Sequence, residues 1–373
     1  MNLSYWELDT YFRNIDFLII GSGIVGLSTA YHLRLKHPKA KIIIIEKGRL
    51  PEGASTKNAG FACFGTLSEI LSYLETNPKE EIYQLVERRY RGLQNLRKLL
   101  GDAAIEFQEL GGYEVFRSED QVLMEKSLDQ MEEINRWLFP IFNRETFRKC
   151  ERNFGFKNTI GTIETPFEGH IHTGKMMRAY LRLLNSSEVS VLNNLEVKNL
   201  TELNSKIEVE LKNKFRFQAS KVFLCTNAFT SKLYDLDVVP ARAQVLVTKP
   251  IENLKVKGCF HMDEGFYFFR NTGNRILFGG GRNLDLKGET TTEFGTTELI
   301  QRQLETYLRE IILPNQDFEI EHRWSGIMGM GSQRNPIVRQ LSENLFCGVR
   351  LTGTGIAIGT MVGEELANLL EPV

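Results

Sequence analysis

The sequence lacks any long apolar run. None of its hydrophobic stretches approaches the about 20 residues that a helix needs to cross a bilayer. The N-terminal segment MNLSYWELDTYFRNIDF mixes acidic and aromatic side chains, without the basic start and apolar core of a secretory signal. It predicts a short amphipathic helix. We therefore expect no transmembrane segment and a cytoplasmic protein.

An excess of charge of one sign is also lacking. The chain of 373 residues has 46 basic and 47 acidic side chains. Proteins that bind nucleic acid or anionic membranes usually carry a basic face, so this balance argues against nucleic acid as a partner. A small neutral or zwitterionic substrate fits the composition better.

The sequence has few cysteines, and their spacing matches no disulfide or metal-binding motif. The five cysteines are widely spaced and form no CxxC pair, which argues against a disulfide framework and a zinc ribbon. Reduced thiols, mostly in the core, are the expectation.

A glycine-rich turn near the N-terminus is the strongest positive signal. The segment DFLIIGSGIVG is an apolar strand that leads into Gly21, Ser22, Gly23, Ile24, Val25 and Gly26. The helix GLSTAYHLRLKHP and the strand KIIIIE follow, and Glu46 with Lys47 closes that strand. This order predicts a dinucleotide site, with the pyrophosphate at the helix N-terminus and ribose hydroxyls at Glu46. The alternative is a tight turn without a ligand.

The rest of the chain predicts a mixture of helices and strands. Helical spacing covers about 67–100 and 119–138, with the strand GGYEVFRS between them, and 144–165 is expected to be irregular. Thr173 is the expected N-cap of the helix GKMMRAYLRLL. Strands then dominate until the helix TTELIQRQLETYLREI, and a second glycine junction lies between a strand and a helix near the C-terminus. The nucleotide-binding unit is therefore expected to be assembled from separate stretches.

Several segments together resemble the amine and amino-acid oxidase family of FAD-dependent oxidoreductases, which includes D-amino-acid, glycine and sarcosine oxidases and D-amino-acid dehydrogenases. The segments that carry the resemblance are GSGIVGLSTAYHL with Glu46, GASTKNAG, KVFLCTNAFTSKL, PARAQVLV, FYFFRNTGNRILFGGG and RWSGIMG with the C-terminal glycine junction. The resemblance covers nearly the whole chain.

The resemblance implies an α/β fold with two domains. A Rossmann-like FAD-binding domain of the glutathione-reductase type would comprise 1–75, 150–238 and 320–373. An α+β substrate domain with a mainly antiparallel sheet would comprise 76–149 and 239–319.

The resemblance also implies the cofactor contacts. One group of residues would surround the pyrophosphate and pass beside the flavin: Ser55, Thr56, Lys57, Asn58, Ala59 and Gly60. The C-terminal junction would direct a helix N-terminus at the pyrimidine end of the flavin, where reduction places negative charge. Further contacts are expected from Val197, Thr226, Asn227, Gly326, Gly353, Thr354, Gly355 and Ile356. Sarcosine-oxidase-like members attach FAD to a cysteine near Met328, and no cysteine lies between Cys259 and Cys347, so non-covalent FAD is expected.

Three candidate catalytic residues follow from the resemblance: Tyr267, Arg242 and Arg350. Tyr267, Phe269 and Phe278 form an aromatic stripe that either cages an amine or packs in the sheet core. Arg242 and Gln244 match polar pocket positions, although Arg242 also fits a plain surface charge. Met328 stands where amino-acid-specific members place a carboxylate-binding arginine, so Arg350 is the candidate replacement, or else a contact to flavin or a structural pair.

The segment GHIHTG raises the question of a metal. His170 and His172 are alternate residues that would share one face of a strand, but the sequence suggests no third ligand. We expect no metal at these histidines; one should be buried and the other should face solvent.

The predicted activity is oxidation of a C–N bond in a small amine or amino acid, with hydride transfer to flavin N5 and hydrolysis of the resulting imine. The electron acceptor is oxygen, a quinone or another molecule. Arg275 is the only charge in the stretch NTGNRILFGGG where fast oxidases carry a lysine, which favours a dehydrogenase. The alternatives are an FAD-binding protein with a structural or sensing role, and an NAD-dependent dehydrogenase.

Overall fold

The structure is a computed structural model that describes residues 1–370. The strands are β1 (Ile15–Ile20), β2 (Ile42–Ile45), β3 (Phe61–Ala62), β4 (Gly112–Arg117), β5 (Arg148–Lys149), β6 (Thr159–Thr165), β7 (Gly169–His170), β8 (Ser190–Leu192), β9 (Val197–Glu202), β10 (Ile207–Leu211), β11 (Arg216–Leu224), β12 (Val239–Thr248), β13 (Cys259–Met262), β14 (Tyr267–Thr272), β15 (Arg275–Gly280), β16 (Ile320–Met330), β17 (Ile337–Ser342) and β18 (Leu345–Val349). The helices are α1 (Tyr5–Glu7), α2 (Ile24–Lys36), α3 (Ala54–Lys57), α4 (Leu67–Leu74), α5 (Lys79–Leu100), α6 (Asp102–Ile105), α7 (Gln121–Phe142), α8 (Thr173–Asn185), α9 (Glu298–Tyr307) and α10 (Gly355–Asn368).

The first sheet is built around parallel strands. Its order is β17-β18-β11-β1-β2-β8, and the antiparallel hairpin β9–β10 joins it beside β11. All four isoleucines of β2 are buried, as expected for a strand covered on both faces. Helices α2, α5, α8 and α10 cover one face, and the hairpin covers the other. The predicted Rossmann-like sheet, drawn from distant parts of the chain, is confirmed.

The second sheet is mainly antiparallel. Its order is β16-β12-β15-β14-β13-β4-β6-β5, and β13 with β4 is a parallel pair within it. Helix α9 packs on one face over a core rich in phenylalanine and leucine. The two sheets together confirm the predicted α/β fold with a mainly antiparallel second layer.

Some local predictions were wrong. Residues 67–100 form two helices, because Pro78 cannot continue the first one and instead precedes α5. The segment predicted to be irregular contains β6, which pairs with β4. Thr173 begins α8, and the N-cap is His172, whose Nδ1 accepts a hydrogen bond from the Lys175 N–H.

Sheet membership differs from the predicted domain boundaries in two places. Strands β6 and β16 lie in the second sheet, although 150–238 and 320–373 were assigned to the FAD-binding part. The chain therefore passes between the two sheets more often than the predicted boundaries require. The domain division itself stays a prediction.

Within residues 1–370, no helix has both the length and the apolar character needed to cross a membrane.

Candidate active site

A large cavity of about 760 Å³ lies between the two sheets. Its walls include the carboxyl ends of β1 and β2 on one side and residues of β12, β14 and β16 on the other. Ligands of doubly wound sheets bind beyond the carboxyl ends of the strands, and the size is typical of a ligand or cofactor site. This cavity is the candidate active site.

In the glycine turn after β1, the backbone segments pack too closely to leave room for side chains. Gly21 has φ +105°, and a Cβ there would lie 2.7 Å from the carbonyl oxygen of Cys225. A Cβ at Gly26 would lie 2.0 Å from the carbonyl oxygen of Gly21. Only glycine allows the strand, turn and helix to pack this closely. Helix α2 therefore begins at Ile24 with its N-terminus at the cavity, where an anionic group is favoured.

Glu46 is held in place at the end of β2. One carboxylate oxygen accepts hydrogen bonds from the backbone N–H (3.1 Å) and the hydroxyl (2.9 Å) of Ser22, and the other accepts from the Gly48 N–H at 3.1 Å. The residue is 5% exposed and lines the cavity. Carboxylate oxygens have further lone pairs. Glu46 is therefore preorganised to accept hydrogen bonds from hydroxyl groups in the cavity.

The loop 53–60 is fixed over the glycine turn. The Ser55 hydroxyl accepts a hydrogen bond from the Ile24 N–H at 2.9 Å. The Asn58 amide donates to two carbonyls of α3, and its oxygen accepts from the N–H two residues on, at 2.8 Å. From the second sheet, the buried Arg270 donates to the Ala59 carbonyl at 2.5 Å. These bonds hold the loop in one conformation beside the cavity.

The C-terminal glycine junction presents a second helix N-terminus. Gly353 has φ +86°, and α10 begins two residues later with no side-chain hydrogen bond capping it. The junction lines the cavity from Leu351 to Ile356. Uncapped N–H groups and the helix dipole favour negative charge at this end of the cavity.

Most of the predicted cofactor residues line the cavity. They are Gly21, Gly23, Ile24, Val25, Glu46, Lys47, Ser55, Asn58, Ala59, Val197, Thr226, Asn227, Gly326, Gly353, Thr354, Gly355 and Ile356. Ser22, Gly26, Thr56 and Gly60 do not line it and lie behind the cavity wall. Ser22 supports Glu46, and the Thr56 hydroxyl donates to the Pro51 carbonyl at 2.6 Å. The cofactor roles themselves remain predictions.

The aromatic stripe on β14 and β15 faces away from the cavity. Tyr267, Phe269 and Phe278 are buried in the core beneath α9, and Tyr267 packs 5.0 Å from Tyr307 between ring centroids. Alternate residues of a strand point to opposite faces, so Phe268 lines the cavity instead. Of the two alternatives for Tyr267, Phe269 and Phe278, the structure therefore supports packing in the sheet core over an amine cage.

Arg242 and Gln244 also point away from the cavity. Arg242 donates two hydrogen bonds to Glu289, at 2.9 and 2.7 Å, and this carboxylate is fully buried. The Gln244 amide donates to the same carboxylate at 2.9 Å. Because both side chains are engaged in this buried network, the structure corrects the prediction that they face the substrate.

Arg350 and Arg275 have carboxylate partners of their own. Arg350 is 5% exposed, with Nη1 2.5 Å from the Asp237 carboxylate, and it does not line the cavity. Arg275 lies at the start of β15, 2.8 Å from Glu321. The structure therefore overturns the candidate substrate role of Arg350. Arg275 does not line the cavity either.

An aromatic wall does line the cavity, made of different residues. Phe61 stands 5.6 Å from Phe268 and 5.1 Å from the His261 ring, measured between ring centroids. Phe266 and Met328 line the same cavity. This wall provides an apolar surface against which a flat ring or a small apolar group can pack.

Two arginines that the sequence analysis missed also line the cavity. Arg282 follows β15 and is half-buried, and Arg334 is exposed at the cavity, 4.7 Å from the centre of the Tyr73 ring. Burial, and then repulsion from Arg334, lower the pKa of Arg282 from its ordinary value. Within residues 1–370 neither guanidinium forms an ion pair with a carboxylate. This arrangement suits a ligand with an anionic group.

The sequence did contain a signal for these residues. Arg282 comes directly after Gly279, Gly280 and Gly281, at the end of a predicted strand where binding residues concentrate. Lys57, in the loop already noted, also lines the cavity. Arg282 and Lys57 therefore place positive charge along the cavity, and the preference for a dehydrogenase over an oxidase stays a prediction.

The two histidines of GHIHTG have the predicted environments. His170 is buried, and its Nε2 has no hydrogen-bond partner in the part of the chain that the structure describes, whereas His172 is exposed. Burial, and then the nearby Arg270, lower the pKa of His170 to about 4. Neither residue lines the cavity.

Comparison with known proteins identifies the family. Residues 16–369 match the family described as FAD dependent oxidoreductase, the DAO family. The chain belongs to this FAD-dependent oxidoreductase family. A probable oxidoreductase, OrdL, from Haemophilus influenzae is 19% identical over 381 residues, covering 97% of this chain and 84% of that protein.

Solved structures of enzymes named for the oxidation of amino acids share the fold. L-proline dehydrogenase from P. horikoshii superposes with a TM-score of 0.74 at 18% identity, covering 95% of this chain and 92% of that one. Glycine oxidase from Geobacillus kaustophilus gives a TM-score of 0.74 at 18% identity, covering 95% and 94%. At this identity the likeness establishes the fold.

The cavity fits the cofactor that the family implies. The tight glycine turn has no room for a Cβ at Gly21, the Glu46 carboxylate is held by its own hydrogen bonds, and two helix N-termini meet the cavity. The glycine turn suits a pyrophosphate, and Glu46 suits the hydroxyl groups of a ribose. A helix N-terminus suits the end of a flavin ring that becomes negatively charged on reduction. The residues present are therefore compatible with FAD.

Proposed function

We propose that this protein oxidises the C–N bond of a small amine or amino acid that carries an anionic group, using non-covalently bound FAD. The imine product then hydrolyses. The observation that carries the proposal is one continuous cavity, which joins the glycine turn and Glu46 to an aromatic wall and to Arg282 and Arg334, neither of which pairs with a carboxylate within residues 1–370.

Arg282 is the best candidate to bind the anionic group. It is half-buried, and a desolvated guanidinium gains most from a bidentate carboxylate. Its lowered pKa reflects the burial and the second arginine, and a bound anion would relieve both costs. Arg334 adds a second positive charge at the same end of the cavity.

Hydride transfer needs orientation and exclusion of water more than it needs an acid or base. FAD, when bound, supplies the acceptor for a hydride from the carbon beside the amine nitrogen. Phe61, Phe266 and Phe268 shelter the substrate, and the N-terminus of α10 stabilises negative charge at its end of the cavity. If the amine binds in its neutral form, no further proton acceptor is required.

Anaerobic reduction of the purified yellow protein tests the proposal. The panel contains glycine, sarcosine, D-alanine, proline, dicarboxylic amino acids and amines without a carboxylate, and flavin absorbance is followed after mixing. Bleaching by members with a carboxylate is expected. A flavin that dithionite reduces but no amine or amino acid does would overturn the proposal in favour of a structural or sensing role. A preparation containing NAD in place of flavin would also contradict it.

A further inference from the structure

Three metal-ligating side chains converge at one side of the cavity. The Cys63 thiol, the Glu168 carboxylate and the His261 imidazole place donor atoms within 4.8 Å of one another. From these three residues we infer a binding site for a divalent transition-metal ion such as Zn²⁺, separate from the residues proposed to hold FAD and the substrate anion.

The fold brings the three residues together from distant parts of the chain. Ala62 of β3 pairs with Gly169 of β7, so Cys63 and Glu168 extend the same two-stranded ladder. His261 comes from β13 of the second sheet. The site therefore exists only after this two-stranded ladder has packed against the second sheet.

The imidazole of His261 has an unused nitrogen aimed into this group. Its Nε2 is buried, has no hydrogen-bond partner among the described residues 1–370, and lies 3.5 Å from Oε2 of Glu168. That spacing is long for a good hydrogen bond. In a tetrahedral zinc site, a nitrogen and an oxygen that each lie about 2.0 to 2.1 Å from the metal are about 3.3 to 3.4 Å from each other. The observed distance between Nε2 and Oε2 is close to that value. An ion between the two atoms would satisfy the orphan nitrogen.

The carboxylate of Glu168 is oriented for this role. The side chain is 1% exposed, and its Oε1 accepts a hydrogen bond from the Phe64 N–H at 3.1 Å. This leaves Oε2 directed at His261. Outer hydrogen bonds of this kind fix the ligands of metal sites.

Charge and chemistry select the type of ion. A thiolate, a carboxylate and a neutral imidazole carry two negative charges, which one divalent cation neutralises. Sulfur and nitrogen ligands favour zinc or cobalt over magnesium or calcium, which prefer oxygen. Cys63 and His261 line the cavity and Glu168 does not, so a fourth, exchangeable ligand would reach the ion from the cavity.

Metal content after removal and replacement tests the inference. Holoprotein is dialysed against a chelator, loaded with Zn²⁺ or Co²⁺, and desalted. One metal ion per chain is expected, with tetrahedral Co²⁺ bands at wavelengths beyond the oxidised flavin absorption. In Cys63→Ser and His261→Gln the affinity should fall more than about 100-fold, since even loss of an outer partner costs 10- to 100-fold. Mg²⁺ should not bind.

Two controls separate this site from incidental binding. Cys150→Ser removes a thiol elsewhere, and His172→Gln removes an exposed imidazole; both should keep full metal binding. Each variant is used only if it retains its flavin and its metal-free melting temperature. Metal binding that survives in Cys63→Ser, or that is lost equally in Cys150→Ser, would overturn the inference. So would wild-type holoprotein that retains no metal. None of these readouts depends on amine oxidation.

Discussion

At the scale of single residues, the position of each arginine decides which one can meet a substrate. Arg242 and Arg350 are neutralised by Glu289 and Asp237, and Arg275 by Glu321. Arg282 lines the cavity without such a partner. A guanidinium already paired with a carboxylate has little left to offer an anionic ligand, so Arg282 is the residue to change first.

Arg282→Met should weaken the binding of a carboxylate substrate by at least about 30-fold, because loss of one partner from a desolvated ion pair costs 2 kcal/mol or more. The apparent dissociation constant comes from anaerobic flavin reduction at increasing substrate concentration. Amines without a carboxylate should bind equally well to both proteins. Arg275→Met, whose guanidinium pairs outside the cavity, is the matched control. An equal loss for charged and uncharged substrates would contradict the assignment.

His170 should make the stability of the protein depend on pH. Its folded pKa of about 4 lies below the ordinary histidine value of 6.5, so the unfolded chain takes up the proton first as pH falls. The free energy of unfolding should therefore decrease from about pH 6.5 to 4, by roughly 3 kcal/mol from this group at 1.36 kcal/mol per pH unit. Stability is fully retained above pH 6.5.

The difference between wild type and His170→Gln isolates this contribution. Denaturant unfolding at pH 7 and pH 4 should show a smaller loss of stability in the variant. His322→Gln, which changes an exposed side chain on β16, should lose as much as the wild type. Parallel pH profiles for wild type and His170→Gln would exclude the buried histidine as the cause.

At the scale of elements, the site depends on how strands end and helices begin. Strands β1 and β2 end at the glycine turn and at Glu46, and helices α2 and α10 begin at the same cavity. The short helix α3 lies over the turn, with Ser55 bonded to Ile24. These strand-to-helix turns are so closely packed that a side chain added at one of their glycines should disturb the binding of a ligand there.

Gly23→Val should reduce the FAD content of the purified protein to a small fraction. A Cβ at this position already lies 3.0 Å from the Ser55 hydroxyl, and the two methyl groups of valine need further space where the pyrophosphate should approach. The ratio of flavin to protein absorbance measures the effect. Gly53→Ala is the matched control, because a Cβ there meets nothing within 4 Å. Full flavin occupancy in Gly23→Val would show that the turn does not hold the pyrophosphate.

At the scale of the whole molecule, the cavity exists because two sheets face each other. The first sheet contributes the glycine turn. The second contributes Phe268 and His261 of the aromatic wall and leads into Arg282, and Phe61 of that wall comes from β3. Residues of the cavity therefore come from both ends and the middle of the chain. The same long-range assembly gathers Cys63, Glu168 and His261.

The purified protein should release all of its FAD on acid precipitation. Two cysteines, Cys63 and Cys225, line the cavity, but none lies between Cys259 and Cys347, where the resemblance to sarcosine-oxidase-like members would place a covalent link. Absorbance of the supernatant and the pellet after acid treatment measures the result. Yellow colour retained by the pellet would indicate a covalent bond.

Local features of this protein could be predicted from the sequence by itself. The glycine turn, the buried β2 and the start of α2 depend on backbone conformation and hydrophobic pattern within a few residues. The segments that resemble the FAD-dependent family led to the correct fold and cofactor class for the same reason, since each is a short run with its own geometry.

Tertiary structure decided which side chains face the cavity and which partner each charge finds. Phe266, Tyr267 and Phe268 are all aromatic, so no hydrophobic pattern reveals which face of β14 lies under α9. The partner of Arg242 is 47 residues away along the chain, and that of Arg350 is 113 residues away. Such ion pairs form only when whole sheets pack together, so they cannot be predicted from the local sequence.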